Sequence, residues 1–178
     1  MVKHRRTFKV GALAAFLAFA GSACSLPASS ASISAAKPLS GLQKVDRITD
    51  GDTFAVKTGG SSTQRIRVAY IDTPETQGGR TECGGAQASK LMKKLLRPGD
   101  TVKLKPVDMD RYGRTVAETF KAKKNLGLTL VQQGWAMVYR FQGRDFAGSA
   151  AYDNAARTAR LQRKGVWESC AGNFHFPI

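Results

Sequence analysis

Cysteine, histidine and acidic residues are all scarce in this chain of 178 residues, and each shortage excludes a class of function. Beyond residue 36 the sequence keeps Cys83, Cys170 and His175, too few for a four-ligand structural zinc site. No Ser-His-Asp or Cys-His arrangement is expected either, since His175 stands three residues from the end. Because 28 basic residues face 13 acidic ones, the formal charge of +15 favours an anionic partner, either nucleic acid or an anionic surface.

The longest apolar run, residues 10–20, is shorter than the roughly 20 residues that a membrane-spanning helix needs. A basic start precedes the run and small residues follow it, which is the order of a secretory signal. We therefore expect residues 1–36 to be a signal peptide with a flexible leader, and the protein to be periplasmic or secreted. Arg5-Arg6 leaves a twin-arginine route open, and Cys24 in a poor lipoprotein box makes a lipid anchor the weaker alternative.

Residues 37–178 have the length of one domain, which we expect to be a monomer without stable membrane insertion. Removing the first 36 residues takes away four basic residues and leaves a net charge of about +11. In an oxidising compartment Cys83 and Cys170 can form a disulfide, although two unpaired thiols remain an alternative.

Hydrophobic periodicity predicts five strands and three helices in residues 44–167. Strands are expected on both sides of Asp50-Gly51-Asp52, over 65–71, and on both sides of the turn at 108–113. Helical spacing is found over 85–96, over 125–133 with Asn125 as a cap, and over 146–164. This order fits an α+β fold, a small antiparallel barrel packed by helices, for which an OB-type barrel is a natural candidate.

Four of the few acidic residues lie in two short segments that end strands: Asp50, Asp52, Asp72 and Glu75. Clustered carboxylates repel one another unless a cation lies among them, and hard divalent cations prefer oxygen ligands. Asp52 and Asp72 can converge from neighbouring strand ends, with the carbonyl of Thr73 as a third ligand for weakly bound Ca²⁺.

Each of these features has a simpler interpretation when it is taken alone. The Asp50-Gly51-Asp52 segment is also an ordinary hairpin turn, and Thr73-Pro74 is also a good helix start. The segment 111–114 is also a polar hairpin with basic flanks. These features occur together with Arg67 and Arg114, whose planar guanidinium groups suit phosphate oxygens. Their joint occurrence favours a nuclease, an enzyme that hydrolyses phosphodiester bonds. In that interpretation Glu75 orients or deprotonates the attacking water.

Four segments in series resemble the staphylococcal nuclease, or thermonuclease, family. They are residues 45–53 (VDRITDGDT), 67–75 (RVAYIDTPE), 110–114 (DRYGR) and 131–136 (VQQGWA). The resemblance covers roughly residues 44 to 167. It implies a five-stranded OB-type barrel with three helices.

The resemblance also implies a Ca²⁺-dependent nuclease that acts on DNA and RNA and leaves 3′ phosphates by expelling the 5′ oxygen. Calcium would be held by Asp52, Asp72 and the Thr73 carbonyl, with Glu75 acting through water. Arg67 and Arg114 would be the catalytic arginines. Four further residues are expected to bind substrate: Arg111, Tyr112, Tyr139 and Arg140. The family often has lysine where Arg111 stands, and the segment 137–141 departs from its pattern for nucleotide contacts.

Two other functions compete with the nuclease. One is a non-catalytic nucleic-acid-binding module of the same fold, against which the complete catalytic set argues. The other is a basic protein that binds anionic lipid or polysaccharide, which leaves the clustered acidic residues unexplained.

Overall fold

The structure is a computed structural model that describes residues 37–76 and 81–178. The expected signal peptide and leader, with Cys24, lie outside the described residues. Within the described part of the chain, no helix has the length and apolar character needed to cross a membrane.

Five strands close into a barrel, which confirms the predicted OB-type α+β fold. The barrel strands are β1 (Gly41–Ile48), β2 (Thr53–Gly59), β3 (Ser62–Val68), β5 (Thr101–Met109) and β6 (Thr115–Lys121). Strands β1, β2 and β3 form an antiparallel meander, β5 pairs with β1, and β6 pairs with β5. The barrel closes where β6 runs parallel to β3. Three two-residue strands are β4 (Ile71–Asp72), β7 (Lys124–Asn125) and β8 (Met137–Val138).

Three helices pack on the barrel near the predicted positions, and a fourth single turn follows them. They are α1 (Gly85–Leu95), α2 (Leu126–Gln132), α3 (Ser149–Leu161) and the short α4 (Val166–Ser169). The predicted cap is present, because the Asn125 side chain accepts a hydrogen bond from the Leu128 amide. Helix α3 begins later than expected: Phe146 precedes it and stacks on the ring of Tyr70 at 3.7 Å between centroids.

The hydrophobic core fills the barrel and continues beneath the helices. Alternating residues of the strands point inward and meet apolar residues of α1 and α2. Fully buried members include Phe54, Ile66, Val68, Ile71, Met92, Leu96, Leu104, Leu126 and Leu130. This core gives the ends of β1, β3 and β6 fixed positions, and the polar residues discussed below stand at those ends.

The expected strand over 65–71 is interrupted, which corrects the prediction. Tyr70 has φ of +67°, a left-handed conformation that is uncommon for a non-glycine residue and incompatible with a continuous strand. Strand β3 therefore stops at Val68, and the chain turns before β4, which pairs with β8. The turn redirects Asp72 toward the end of β3, so that it lies near Arg67 instead of continuing along the barrel edge.

Candidate active site

The turn between β1 and β2 is held together by the side chain of Asp50. Its Oδ1 accepts hydrogen bonds from the amides of Asp52 at 3.0 Å and Thr53 at 2.7 Å. Gly51 packs tightly here, because a Cβ at that position would lie 2.7 Å from the Thr73 hydroxyl. The simpler interpretation of a hairpin turn thus describes Asp50, while the Asp52 side chain is left for other contacts.

Arg67, near the end of β3, bridges the two acidic segments. Its guanidinium donates to Asp52 Oδ2 at 2.9 Å and to Asp72 Oδ1 at 2.7 Å. It also donates to the Ile71 carbonyl at 3.3 Å. The structure therefore brings Asp52, Arg67 and Asp72 together at one end of the barrel, although they are up to 20 positions apart in sequence.

Arg114 reaches the same cluster from the turn between β5 and β6. Its Nε donates to Asp110 Oδ2 at 2.6 Å, which fixes the direction of the side chain. One terminal nitrogen lies 3.3 Å from the hydroxyl of Thr53, which in turn donates to Asp52 Oδ1 at 3.0 Å. Arg114 is thereby connected to Asp52 through one threonine.

The four carboxylates of the acidic cluster outnumber the two arginines beside them, Arg67 and Arg114, so the cluster keeps a negative net charge when all are ionised. The pKa of Asp52 is raised to about 7, first by burial and also by the nearby Asp50 and Asp72 carboxylates, against the lowering effect of Arg67. Burial also raises the pKa of Glu75, with Asp50 and Asp72 adding to the shift. A cation placed among these groups would favour their charged forms.

The oxygen atoms of this cluster are of the chemical type that a hard divalent cation such as Ca²⁺ prefers as ligands. Asp52 and Asp72 offer carboxylate oxygens that converge on one guanidinium, and the buried Thr73 follows directly, its amide donating to Asp52 Oδ2 at 3.3 Å. In residues 37–76 and 81–178, no three His, Cys, Asp or Glu side chains group closely enough to hold a metal by themselves. Backbone carbonyls and water would have to complete the coordination shell.

A cleft of about 820 Å³ opens beside this cluster. Arg67, Asp72, Glu75 and Arg114 line it together with Tyr112. Further aromatic and basic residues complete the wall, among them Arg111, Tyr139, Phe141, Arg144 and Phe146. Arginine side chains and exposed rings in this lining suit a ligand with both phosphates and bases, and Asp108, Asp110 and Asp145 add acidic groups to those of Asp72 and Glu75.

Tyr112 lies among cations at the rim of the cleft. Its ring is exposed, and the guanidinium groups of Arg111 and Arg114 lie 4.9 and 5.5 Å from its centroid. Tyr139, another of the residues expected to bind substrate, also lines the cleft. Arg140 does not line it, since its guanidinium binds both carboxylate oxygens of Asp153 and also Asp145.

A disulfide joins Cys83, just before α1, to Cys170 at the end of α4. The tail that follows returns to the cluster, where the His175 ring lies 3.5 Å from Asp72 Oδ2 and 3.2 Å from Glu82 Oε2. The sequence argued against a Ser-His-Asp or Cys-His arrangement because His175 stands three residues from the end, and it did not predict that the ring would lie beside the acidic cluster. Being near the chain terminus does not keep a residue away from a cleft once a disulfide ties the terminus down.

The sequence model of the family described as "Staphylococcal nuclease homologue" matches residues 65–169, more than half of the chain. The chain belongs to this family. A thermonuclease of Staphylococcus hyicus is 31% identical over 130 residues, which cover 71% of this chain and 75% of that protein.

An uncharacterized endonuclease of Haemophilus influenzae is 31% identical over 124 residues, or 70% of this chain and 65% of the relative. Endonuclease YhcR of Bacillus subtilis is 32% identical over 134 residues, or 69% of this chain and 11% of the relative. The chain thus spans less than two thirds of the length of these two relatives.

Sequence reasoning missed several residues of this nuclease-family site. Glu82, Phe141 and Arg144 lie outside the four segments that carry the family resemblance. Thr53 is the last residue of the segment 45–53, but the sequence assigned it no role. Glu82 and His175 become neighbours only through the disulfide and the returning tail.

Proposed function

We propose that this protein is a calcium-dependent nuclease that hydrolyses phosphodiester bonds of DNA and RNA. One observation carries the proposal: Arg67 joins Asp52 to Asp72 beside a cleft with arginine and aromatic side chains in its lining, which Glu75 and Arg114 also line. The family relatives named as endonucleases and a thermonuclease support the same reaction class.

Phosphodiester hydrolysis needs fixed positive charge where negative charge develops on the phosphate oxygens. Arg114 is suited to this role because Asp110 fixes its Nε, which leaves terminal N–H groups directed toward the cleft. Arg67 is held by two carboxylates and supplies a second guanidinium to the lining of the same cleft. Calcium bound by Asp52, Asp72 and the Thr73 carbonyl would supply further positive charge against the phosphate.

Glu75 is proposed to take a proton from the attacking water. Its raised pKa, caused first by burial, makes the carboxylate a stronger base than an exposed glutamate. The water oxygen then forms a bond to phosphorus, the bond from phosphorus to the 5′ oxygen breaks, and that oxygen takes a proton from solvent. The products carry a 3′ phosphate and a 5′ hydroxyl.

The proposal is tested by incubating residues 37–178 with labelled DNA and RNA in calcium, and then with a chelator of calcium. Cleavage is expected only with calcium. Glu75→Gln and Arg114→Ala should each lower kcat by at least about a hundredfold, the usual scale for removing a group that stabilises the transition state. Intact nucleic acid that is retarded on a gel but never cut would instead establish a binding module and overturn the proposal.

Matched controls come from residues of the same type outside the cleft. Glu168→Gln changes an exposed glutamate of α4, and Arg47→Ala removes an arginine that pairs with the adjacent Asp46. Both control variants should keep wild-type rates. An equal loss in a control and in its catalytic counterpart would show that the effect is one of general charge or folding.

We also propose that the protein is exported. The Cys83–Cys170 disulfide supports an oxidising compartment, where such bonds persist. Expression of the full chain in a bacterium, followed by N-terminal sequencing of the periplasmic and medium fractions, tests this. A product that stays in the cytoplasm with Met1 retained would contradict it.

A further inference from the structure

Glu82, which lies shortly before α1, is a buried glutamate that the proposed reaction does not use. Its exposed fraction is 8%, although glutamate is rarely buried without partners for its side chain. A buried carboxylate needs hydrogen-bond donors, since an unpaired one is costly to bury. One donor is the backbone amide of Glu75, whose nitrogen lies 2.7 Å from Oε2 of Glu82. The buried side chain therefore binds the main chain of the proposed catalytic base.

Two hydrogen bonds of opposite direction join residues 75 and 82. The Glu82 amide donates to the Glu75 carbonyl at 3.0 Å, while the Glu82 carboxylate accepts from the Glu75 amide. Both polar groups of the Glu75 main chain are thus bound by a single residue. Because the main chain is held on both sides of its Cα, the direction in which the Glu75 side chain leaves it is restricted.

Helix α1 approaches the same main chain from another side. A Cβ at Gly85 would lie 2.6 Å from the Glu75 carbonyl oxygen, so glycine is the residue that permits this close approach. The Gly85 amide also donates to the Glu82 carbonyl at 3.0 Å. The first residue of α1 therefore packs against Glu75 and is bonded to Glu82.

Glu82 is itself anchored to distant parts of the chain. The next residue, Cys83, is bonded to Cys170 by the disulfide, and its amide donates to the Phe176 carbonyl at 2.8 Å. Glu82 also forms an isolated β-bridge with Pro177. A residue can hold another in place only when its own position is fixed, and these contacts meet that condition for Glu82.

We propose that Glu82 is a positioning residue, whose buried side chain holds the Glu75 main chain so that the Glu75 carboxylate is directed at the attacking water. The inference rests on the proposed function, in which Glu75 takes a proton from that water. Displacement of a catalytic group by about 1 Å can lower a rate about a hundredfold. The role requires an acceptor oxygen rather than a charge, because a neutral side-chain amide oxygen also accepts hydrogen bonds.

The first test compares two substitutions of Glu82 that remove the same negative charge. Only glutamine keeps an oxygen that can accept the Glu75 amide. Glu82→Ala should lower kcat at saturating Ca²⁺ at least about tenfold, with little change in the KM for DNA. Glu82→Gln should recover most of the wild-type kcat. Glu168→Ala truncates an exposed glutamate of α4, and this matched control should keep the wild-type kcat. Melting curves of each variant set an assay temperature below its unfolding transition.

The second test determines whether Glu82 acts through Glu75. In a protein that already carries Glu75→Gln, Glu82→Ala should change kcat by less than about twofold, because the base that it positions is absent. A general structural effect would lower kcat by the same factor in both backgrounds. Hydrogen exchange of the Glu75 amide gives a readout without catalysis. It should be faster in Glu82→Ala than in wild type, and slow again in Glu82→Gln.

Three results would overturn the inference in an active protein. They are a Glu82→Ala variant with the kcat of Glu168→Ala, a Glu82→Gln variant that loses as much as Glu82→Ala, and an equal loss with and without Glu75→Gln. An inactive wild-type protein would remove the proposed function together with the inference. The two failures are distinguishable, because the first three results require that the wild-type protein cleaves DNA.

Discussion

Replacing both Cys83 and Cys170 by alanine should lower the free energy of unfolding by about 3–4 kcal/mol. The two residues are 87 positions apart, and the segment between them contains α1, two barrel strands and helices α2 and α3. The chain-entropy treatment of cross-links assigns about 4–5 kcal/mol to a loop of this length. That figure is an upper value, because real unfolded chains retain some structure.

Contacts that survive the substitution hold the tail in the folded state. The amides of Cys83 and Ile178 keep their backbone partners, and the Phe174 ring still packs edge-on against Trp167 at 5.2 Å between centroids. The loss should therefore come mainly from the unfolded chain, which gains freedom when the cross-link is absent. Activity at saturating Ca²⁺ should be retained below the unfolding transition.

Urea unfolding of oxidised wild type and the double alanine variant measures the effect by linear extrapolation. The m-value should be larger for the variant, because its unfolded state is less restricted and exposes more surface. Wild type in reductant is the control and should unfold near the variant. A loss below about 1 kcal/mol with equal m-values would refute the argument that the bond restricts the unfolded chain.

Three further predictions concern single residues. Gly134→Ala should lower the free energy of unfolding by more than about 2 kcal/mol, since φ is +73° and the added Cβ would lie 2.2 Å from the Lys164 carbonyl oxygen. Urea unfolding measures the loss, and an unchanged midpoint would contradict the prediction. Asp110→Asn should lower kcat about tenfold with little change in Tm, because Arg114 loses its charged partner. Steady-state kinetics measure the change in kcat, and a melting curve measures the change in Tm. Tyr112→Ala should weaken single-stranded DNA binding by about 1–3 kcal/mol through lost stacking, and equal affinity in a fluorescence titration would exclude the ring from substrate contact.

The candidate site was predictable where chemistry follows from residue type and local position. Asp50-Gly51-Asp52 ends a strand and forms a turn in any fold of this class, and Arg67 lies five residues before Asp72. The sequence predicts Asp52 as the ligand from this turn, although turn chemistry alone does not distinguish it from Asp50. The hydrogen bonds of Asp50 to two amides of its own turn leave Asp52 to meet Arg67, and that division depends on the turn geometry.

Arg140 and His175 show where local reasoning reaches its limit. Arg140 was expected to bind substrate, but Asp153 of α3 lies beside it and binds its guanidinium. His175 looked isolated at the end of the chain, yet the disulfide returns it to Asp72. Both outcomes depend on partners more than ten positions away, which periodicity and motif spacing do not report.

The sequence by itself determined the barrel, the helices and the types of residue that meet at the cleft, because alternation, capping and turn residues act over a few positions. Only the tertiary structure decided which charges pair, that Tyr70 breaks a strand to redirect Asp72, and that the tail borders the site. These depend on closure of β3 against β6 and on one covalent bond between distant cysteines. Long-range contacts of this kind arise from packing the whole chain, so no short segment encodes them.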